Sequence, residues 1–256
     1  KHQQRVSLIA RQIANHINEL DQPRKDNLFV AAMLHDIGEL SLEGKIKIIN
    51  NQMETELLRG HCETGAYLFS LLPWLAPSKE IVRNHHKHWQ YYNCSIHEPF
   101  ILESQVLHLA DKVDCLINKT QYILHQHEAI IDYVQEQKDL SFHPIVVDAF
   151  IKSAKHEEFW LDLSIPNLDP LLKESSYHAK TVSIDEVLEI SEFIRMVIDF
   201  KSHFTATHSA GVSEAAACLS TLYNFPETQI KRMRIAGNLH DIGKLNVPNE
   251  ILEKNG

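Results

Sequence analysis

Two His-Asp pairs, His35-Asp36 and His240-Asp241, are the residues in this sequence best placed to do chemistry. His2 stands ahead of the first pair, and His61, the adjacent His85 and His86, and Asp111 follow it; His208 stands ahead of the second. Imidazole nitrogens and carboxylate oxygens, with no cysteine in the set, favour iron or manganese, with zinc as the alternative, over thiolate-seeking metals. His35 and Asp36 are neighbours, so on a helix they point about 100° apart and cannot grip one ion from the same side. Asp36 is therefore suited to bridging two ions. The histidines must arrive from several helices, which calls for a bundle that is polar at one end.

The elements that position these residues are written twice. Ala31 to Leu40 reads AAMLHDIGEL and Ala236 to Leu245 reads AGNLHDIGKL, ten-residue blocks identical at seven positions. His2 precedes His35 by 33 residues and His208 precedes His240 by 32, so a unit is duplicated at a period of about 205 residues. Apolar residues recur at helical steps in Val6, Ile9, Ile13 and Ile17, then in Leu28, Ala31, Ala32 and His35. The first His-Asp pair thus falls at a helix C-terminus, with Gly38 as the stop. Further helices are expected over 54–60, 61–72, 77–88, 101–117, 125–137, 144–153 and 184–201. No sustained alternation marks a sheet, so the chain reads as all-α. Pro166, Pro170, Ser175 and Ser176 interrupt the periodicity. This divides the chain into copy one over 1–165, a linker over 166–183, and the opening of copy two over 184–256.

Composition narrows the partners. A net charge of −9 argues against a nucleic-acid polymer, whose binding draws on Lys and Arg, but allows a compact anion held through metals. The 17 histidines ask for a metal explanation first. The four cysteines (Cys62, Cys94, Cys115, Cys218) form no C-x-x-C pair and read as reduced thiols in a cytoplasmic setting. No apolar run reaches the roughly 18 residues that span a bilayer. Sensor or membrane segments of a longer parent protein remain compatible with the sequence.

The order H, HD, H, HH, D resembles the HD-GYP family of cyclic-dinucleotide phosphodiesterases over roughly residues 2–160. His61-Cys62-Glu63-Thr64-Gly65-Ala66 is similar to that family's H-P-x-x-G-A segment, and Leu109-Ala110-Asp111-Lys112-Val113-Asp114 to its A-D-x-x-D helix, which selects Asp111 over Asp114. Phe142-His143-Pro144 resembles the entry to its terminal helix. The resemblance implies an HD-superfamily helical bundle, with one full copy and the first helices of a second. It also implies two transition-metal ions on His2, His35, Asp36, His61, His85, His86 and Asp111, with a shared hydroxide attacking phosphorus in cyclic di-GMP or a hybrid cyclic GMP-AMP. Copy two carries the start of such a site in His208, His240 and Asp241, with Lys244 as a catalytic cation. His88 and Trp89, beside the paired histidines, are expected to face substrate; the histidines outside the pattern are read as structural.

The departures are specific. Asn93-Cys94-Ser95 stands where Gly-Tyr-Pro is expected, and Glu39 where the family's HD-x-G-K lysine belongs, whereas copy two keeps Lys244. Phe204 takes the place, one turn before His208, where three-metal members carry glutamate. Copy one is therefore expected to hold metal but to turn over slowly. A regulatory HD module is the competing reading, and an HD-superfamily nucleotidase a weaker one. Three ligands in copy two cannot make a two-metal centre. Its apolar faces, including Val212, Leu219, Leu222, Ile235 and Leu239, are expected to be covered by copy one or by a second chain in a homodimer.

Overall fold

The chain is described by a computed structural model over residues 1–39, 55–173, 181–201 and 208–247, together with Ile251. Two compact units emerge, one of residues 1–38 and 49–178, the other of 39–48 and 179–256. The described residues are helical and carry no strand; an isolated parallel bridge joins Lys138 and Phe142.

In the first unit, α1 (His2–Ala14), α2 (Gln22–Leu34) and α5 (Ile101–Leu116) pack against one another. Val6, Ile9 and Ile13 of α1 are fully buried, as the helical spacing requires, and Leu28, Ala31 and Ala32 of α2 and Val106, Leu109 and Val113 of α5 join them. Asp21 starts α2 by accepting a hydrogen bond from Arg24 N at 3.0 Å, with Pro23 in the first turn. The Arg24 guanidinium then grips the buried Glu103 through two bonds, Nε to Oε1 at 2.6 Å and Nη2 to Oε2 at 2.8 Å, tying α2 to α5.

Around this layer lie α3 (Thr55–Ser70), α4 (Lys79–Arg83), α6 (His127–Glu136), α7 (Pro144–Ala154), α8 (Glu157–Ser164) and α9 (Asp169–Lys173). The two helices expected over 54–60 and 61–72 are one, because Gly60 sits in mid-helix without a packing demand; residue 54 lies outside the described residues. The segment expected as a helix over 77–88 is a single α turn flanked by 3-10 and irregular backbone. His143 caps α7, its Nδ1 accepting from Ile145 N at 3.1 Å, which gives this histidine a structural role. The linker begins later than the prolines suggest. Leu168 is buried, Arg11 Nη1 donates to Leu171 O at 2.8 Å and Gln4 Nε2 to Asp169 Oδ1 at 3.1 Å, so α9 belongs to the first unit. Ser175, Ser176 and Phe204 lie outside the described residues.

Gly38 does not stop its helix by a left-handed turn, since no described glycine has positive φ. Its role is close approach: a Cβ there would lie 2.0 Å from His61 O and 2.4 Å from Gly65 N, both backbone atoms of α3. Backbone cannot step aside as a flexible side chain would. Gly38→Ala is therefore expected to cost about 3 kcal/mol or more, at or above the ordinary overpacking range, and urea denaturation of the metal-free chain measures it. An unchanged midpoint would mean that the turn after α2 is not locked to α3.

The second unit contains α10 (Ile184–Lys201), α11 (His208–Leu222) and α12 (Glu227–Leu239). Gly237 repeats the close approach, because a Cβ at that position would lie 2.5 Å from Ser213 Cα. Asn238 Nδ2 donates to Ser191 Oγ at 2.9 Å and joins α12 to α10. Val212, Ile235 and Leu239 are half-buried, while Leu219 and Leu222 are exposed.

Candidate metal centre

The seven donors expected of copy one converge at one end of the first unit. His2 opens α1, His35 and Asp36 form the 3-10 turn after α2, His61 comes from α3, His85 and His86 follow α4, and Asp111 projects from α5. Their imidazoles form one continuous group. Ring centroids lie 5.4 Å apart for His2 and His35, 5.2 Å for His35 and His85, 5.2 Å for His61 and His85, 5.0 Å for His61 and His86, and 4.1 Å for His85 and His86.

Local backbone sets the face each ring presents. His35 Nδ1 bonds to Ala32 O at 2.9 Å and His85 Nδ1 to Val82 O at 2.5 Å, three residues back in each case, which leaves Nε2 of both rings as the lone-pair nitrogen. His2 Nδ1 donates to Asp114 Oδ2 at 2.6 Å, so its Nε2 likewise faces inward. Two carboxylates spread across the group. Asp36 Oδ2 lies 3.6 Å from His2 Nε2 and 3.3 Å from His35 Nε2, while its Oδ1 lies 3.8 Å from His61 Nε2. Asp111 Oδ1 is 3.2 Å from His2 Nε2, and its Oδ2 is 3.8 Å from His86 Nδ1.

These residues fit a divalent metal. His2 Nε2, His35 Nε2, His86 Nε2 and Asp36 Oδ1 are buried with no hydrogen-bond partner among the described residues, an arrangement that costs stability unless something else occupies those lone pairs. The electrostatics point the same way. Burial, then the neighbouring imidazoles, hold His85 well below the ordinary histidine pKa; burial likewise lowers His86 against the opposing pull of Asp111. Burial also disfavours the charged form of His2, but the adjacent carboxylates of Asp111 and Asp114 outweigh it and raise the pKa to about 10. At His35 the charges of Asp36 and Asp111 overcome burial and raise it too. Burial opposes ionisation of Asp111, yet the neighbouring His2 and His35 hold it well below the usual carboxylate range.

Three partners of the centre are not apparent from the sequence. Asp114, fully buried, accepts from His2 and from the Arg5 guanidinium through Nε and through Nη2 at 3.1 Å, so it orients His2 from behind. The A-D-x-x-D pattern contains it, but its partners lie more than a hundred residues away in sequence. Gln105, also fully buried, donates to Lys87 O at 2.9 Å and accepts from His143 N at 3.0 Å, which pins the segment after His86. Cys62 is buried against His61 and His85. Removal of Asp114 should be costly, because it strands the largely buried Arg5 charge. Asp114→Ala is expected to destabilise the metal-free chain by about 3–5 kcal/mol in urea denaturation, against under about 1 kcal/mol for Asp148→Ala at the exposed pair with Lys138.

Of the expected substrate contacts, His88 is exposed and its Nδ1 lies 3.0 Å from Ser141 Oγ, while Trp89 is half-buried, stacked on Tyr92 at 5.6 Å and edge-on to His143 at 4.4 Å. In copy two, His208 and His240 have ring centroids 5.5 Å apart. His240 Nδ1 bonds to Gly237 O at 2.8 Å, and its Nε2 lies 3.2 Å from Asp241 Oδ2, the same local geometry as His35 and Asp36. Lys244 Nζ donates to Asp241 Oδ2 at 2.6 Å and, as the largest influence, lowers the Asp241 pKa. Among the described residues these three donors, His208, His240 and Asp241, are the group gathered in copy two.

A model of the HD domain matches residues 1–116, a span that holds all seven donors of copy one. The chain is 26% identical over 241 residues to the 3'3'-cGAMP-specific phosphodiesterase 1 of Vibrio cholerae serotype O1, an alignment covering 90% of this chain and 55% of that protein. The chain thus spans about half the length of that curated relative. In three dimensions it is similar to a crystal structure of a cyclic GMP-AMP-specific phosphodiesterase from V. cholerae, with a TM-score of 0.70 at 20% identity, over 100% of this chain and 69% of the other. That likeness establishes the helical fold. With its His-Asp pair at the end of α2 and further histidines gathered around it, the segment 1–116 is similar to an HD domain.

Proposed function

We propose that this chain is part of a metal-dependent phosphohydrolase of the HD-GYP type that opens a cyclic dinucleotide, with 3'3'-cGAMP as the first candidate and cyclic di-GMP as the second. The observation that carries the metal assignment is the placement of Asp36, whose two oxygens face different histidines, Oδ2 towards His2 and His35 and Oδ1 towards His61. A carboxylate so placed serves two ions. One would be held by His2, His35 and Asp111, the other by His61, His85 and His86, with iron or manganese favoured by the imidazole and carboxylate donors. Divalent ions there would supply Lewis acidity at a phosphoryl group. The chain's own residues supply position: Asp114, Ala32 O and Val82 O fix the tautomers of His2, His35 and His85, and burial of the rings keeps water from competing for them. The choice of a cyclic dinucleotide rests on the named activities of the V. cholerae relatives.

A second reading is favoured by Glu39 and by Asn93-Cys94-Ser95: copy one holds metal and controls a catalytic copy two that keeps Lys244. One experiment separates the two readings. The chain is loaded with iron or manganese and incubated with 3'3'-cGAMP and cyclic di-GMP, and linear products are resolved by chromatography. Metal with product supports hydrolysis by this chain, and metal without product supports the regulatory copy. Failure to bind either ion after reconstitution defeats both.

A further inference from the structure

Cys62 follows His61 on α3, and both side chains are buried, at 3% and 4% exposure. Successive helical residues point about 100° apart, so the thiol and the imidazole approach the same space from different sides. Cys62 Sγ lies 3.9 Å from His61 Nε2 and 3.5 Å from the His85 ring at Nδ1. His61 Nε2 and His85 Nε2 are 3.3 Å apart. One donor atom from each of His61, Cys62, His85 and His86 can be chosen so that all lie within 4.8 Å of one another. In a tetrahedral site with metal–sulfur bonds of about 2.3 Å and metal–nitrogen bonds of about 2.0–2.1 Å, sulfur and nitrogen stand about 3.5 Å apart and two nitrogens about 3.3 Å. The His61 Nε2 to His85 Nε2 separation equals the nitrogen–nitrogen edge, and Cys62 Sγ stands about 0.4 Å beyond the sulfur–nitrogen edge from His61 Nε2, while His85 Nδ1 is taken by Val82 O. An independent observation points to an ion at the same place: Asp36, 4% exposed, turns Oδ1 towards His61 Nε2 at 3.8 Å and has no hydrogen-bond partner for that oxygen among the described residues.

We propose that Cys62 Sγ is a ligand of the ion held by His61, His85 and His86, so that this half of the centre offers three nitrogens and one sulfur beside the Asp36 oxygen. The inference rests on the metal reading above and deepens it. Thiolate is a soft donor, so this half selects zinc or cobalt over manganese, whereas the half built from His2, His35 and Asp111 offers nitrogen and oxygen alone. Ligation exchanges the thiol proton for the metal, with the proton released to solvent, and involves no change of oxidation state.

Metal-free full chain titrated with cobalt(II) tests it. Visible ligand-field bands report bound cobalt, and a near-ultraviolet thiolate-to-cobalt charge-transfer band reports sulfur in the coordination sphere. The unsubstituted chain and Cys115→Ser should show both. Cys62→Ser should lose the charge-transfer band and bind zinc at least about tenfold more weakly, a loss as large as that of an outer-shell partner or larger. Its manganese binding and helical circular dichroism should be retained. X-ray absorption of the zinc-loaded unsubstituted chain needs no variant and should place sulfur at about 2.3 Å. Visible bands without charge transfer, a band that survives Cys62→Ser, or a zinc shell of nitrogen and oxygen only overturns the assignment of Cys62 while leaving the metal centre standing. Absence of any cobalt binding overturns the metal reading itself.

Discussion

Asp36→Ala is expected to lose both ions, and to lose more metal than the removal of any single histidine. His2 and His35 lie with Asp111, and His61 with His85 and His86, the two groups meeting where the His35 and His85 rings lie 5.2 Å apart. Asp36 turns Oδ2 to His2 and His35 and Oδ1 to His61 at 3.3–3.8 Å, so its removal takes a ligand and a negative charge from both ions at once; Asp111, with Oδ1 at His2 and Oδ2 at His86, is the other carboxylate that reaches both halves. The fold should survive the change. Asp36 Oδ1 makes no hydrogen bond among the described residues, so its loss strands no partner there, and the turn that carries it is held to α3 through Gly38. Elemental analysis after reconstitution with iron or manganese should therefore show close to no metal in Asp36→Ala. His61→Ala should keep a substantial part, because the half built from His2, His35 and Asp111 keeps its donors. Full metal content in Asp36→Ala would remove the bridge from the proposal and, with it, the argument for two ions.

How much of this centre the sequence reveals depends on the kind of information involved. His2, His35, Asp36, His61, His85, His86 and Asp111 can be named in chain order because ligand types and a duplicated H-D-I-G block are properties of residues, and the structure gathers all seven. The helices over 101–116, 144–154 and 184–201 follow from apolar spacing that decides burial directly. What the sequence hides depends on distance in space. Nothing near Asp114 in sequence announces Arg5 or His2 as its partners, and a lone buried cysteine such as Cys62 looks the same in sequence whether it fills a core or faces a cluster of imidazoles. Gly38 is legible as a helix stop by residue type, yet its actual constraint is the backbone of His61 and Gly65, which only the packing of α3 could reveal. The linker boundary fails for a similar reason. Prolines at 166 and 170 break periodicity, but Leu168 and the bond from Arg11 to Leu171 O hold that stretch on α1 regardless.

Metal-loaded copy one should hydrolyse cyclic dinucleotides slowly, at least about a hundredfold below the ~10 s⁻¹ typical of enzymes, and Glu39→Lys should raise kcat/KM by at least about tenfold. Copy two shows what the lysine does in this motif: Lys244 Nζ sits 2.6 Å from Asp241 Oδ2, a cation beside the carboxylate of the His-Asp pair. In copy one the same position of the motif carries Glu39. Exchange of an ammonium for a carboxylate changes the charge there by two units. Near an anionic phosphate, at an effective dielectric of about 20, each unit about 4 Å away is worth up to roughly 4 kcal/mol before screening. Even a small fraction of that, kept after solvent and salt are counted, exceeds the roughly 1.36 kcal/mol that changes a rate tenfold. The effect should appear mainly in kcat/KM and shrink as salt is added, whereas a change that merely repacked the turn would show no salt dependence. Because Glu39 is not among the seven donors, metal content should be the same in both proteins, and elemental analysis alongside the kinetics checks it. Brisk hydrolysis by the unsubstituted chain, or a Glu39→Lys variant with equal metal and unchanged kcat/KM, would remove charge at this position as the reason for slow turnover.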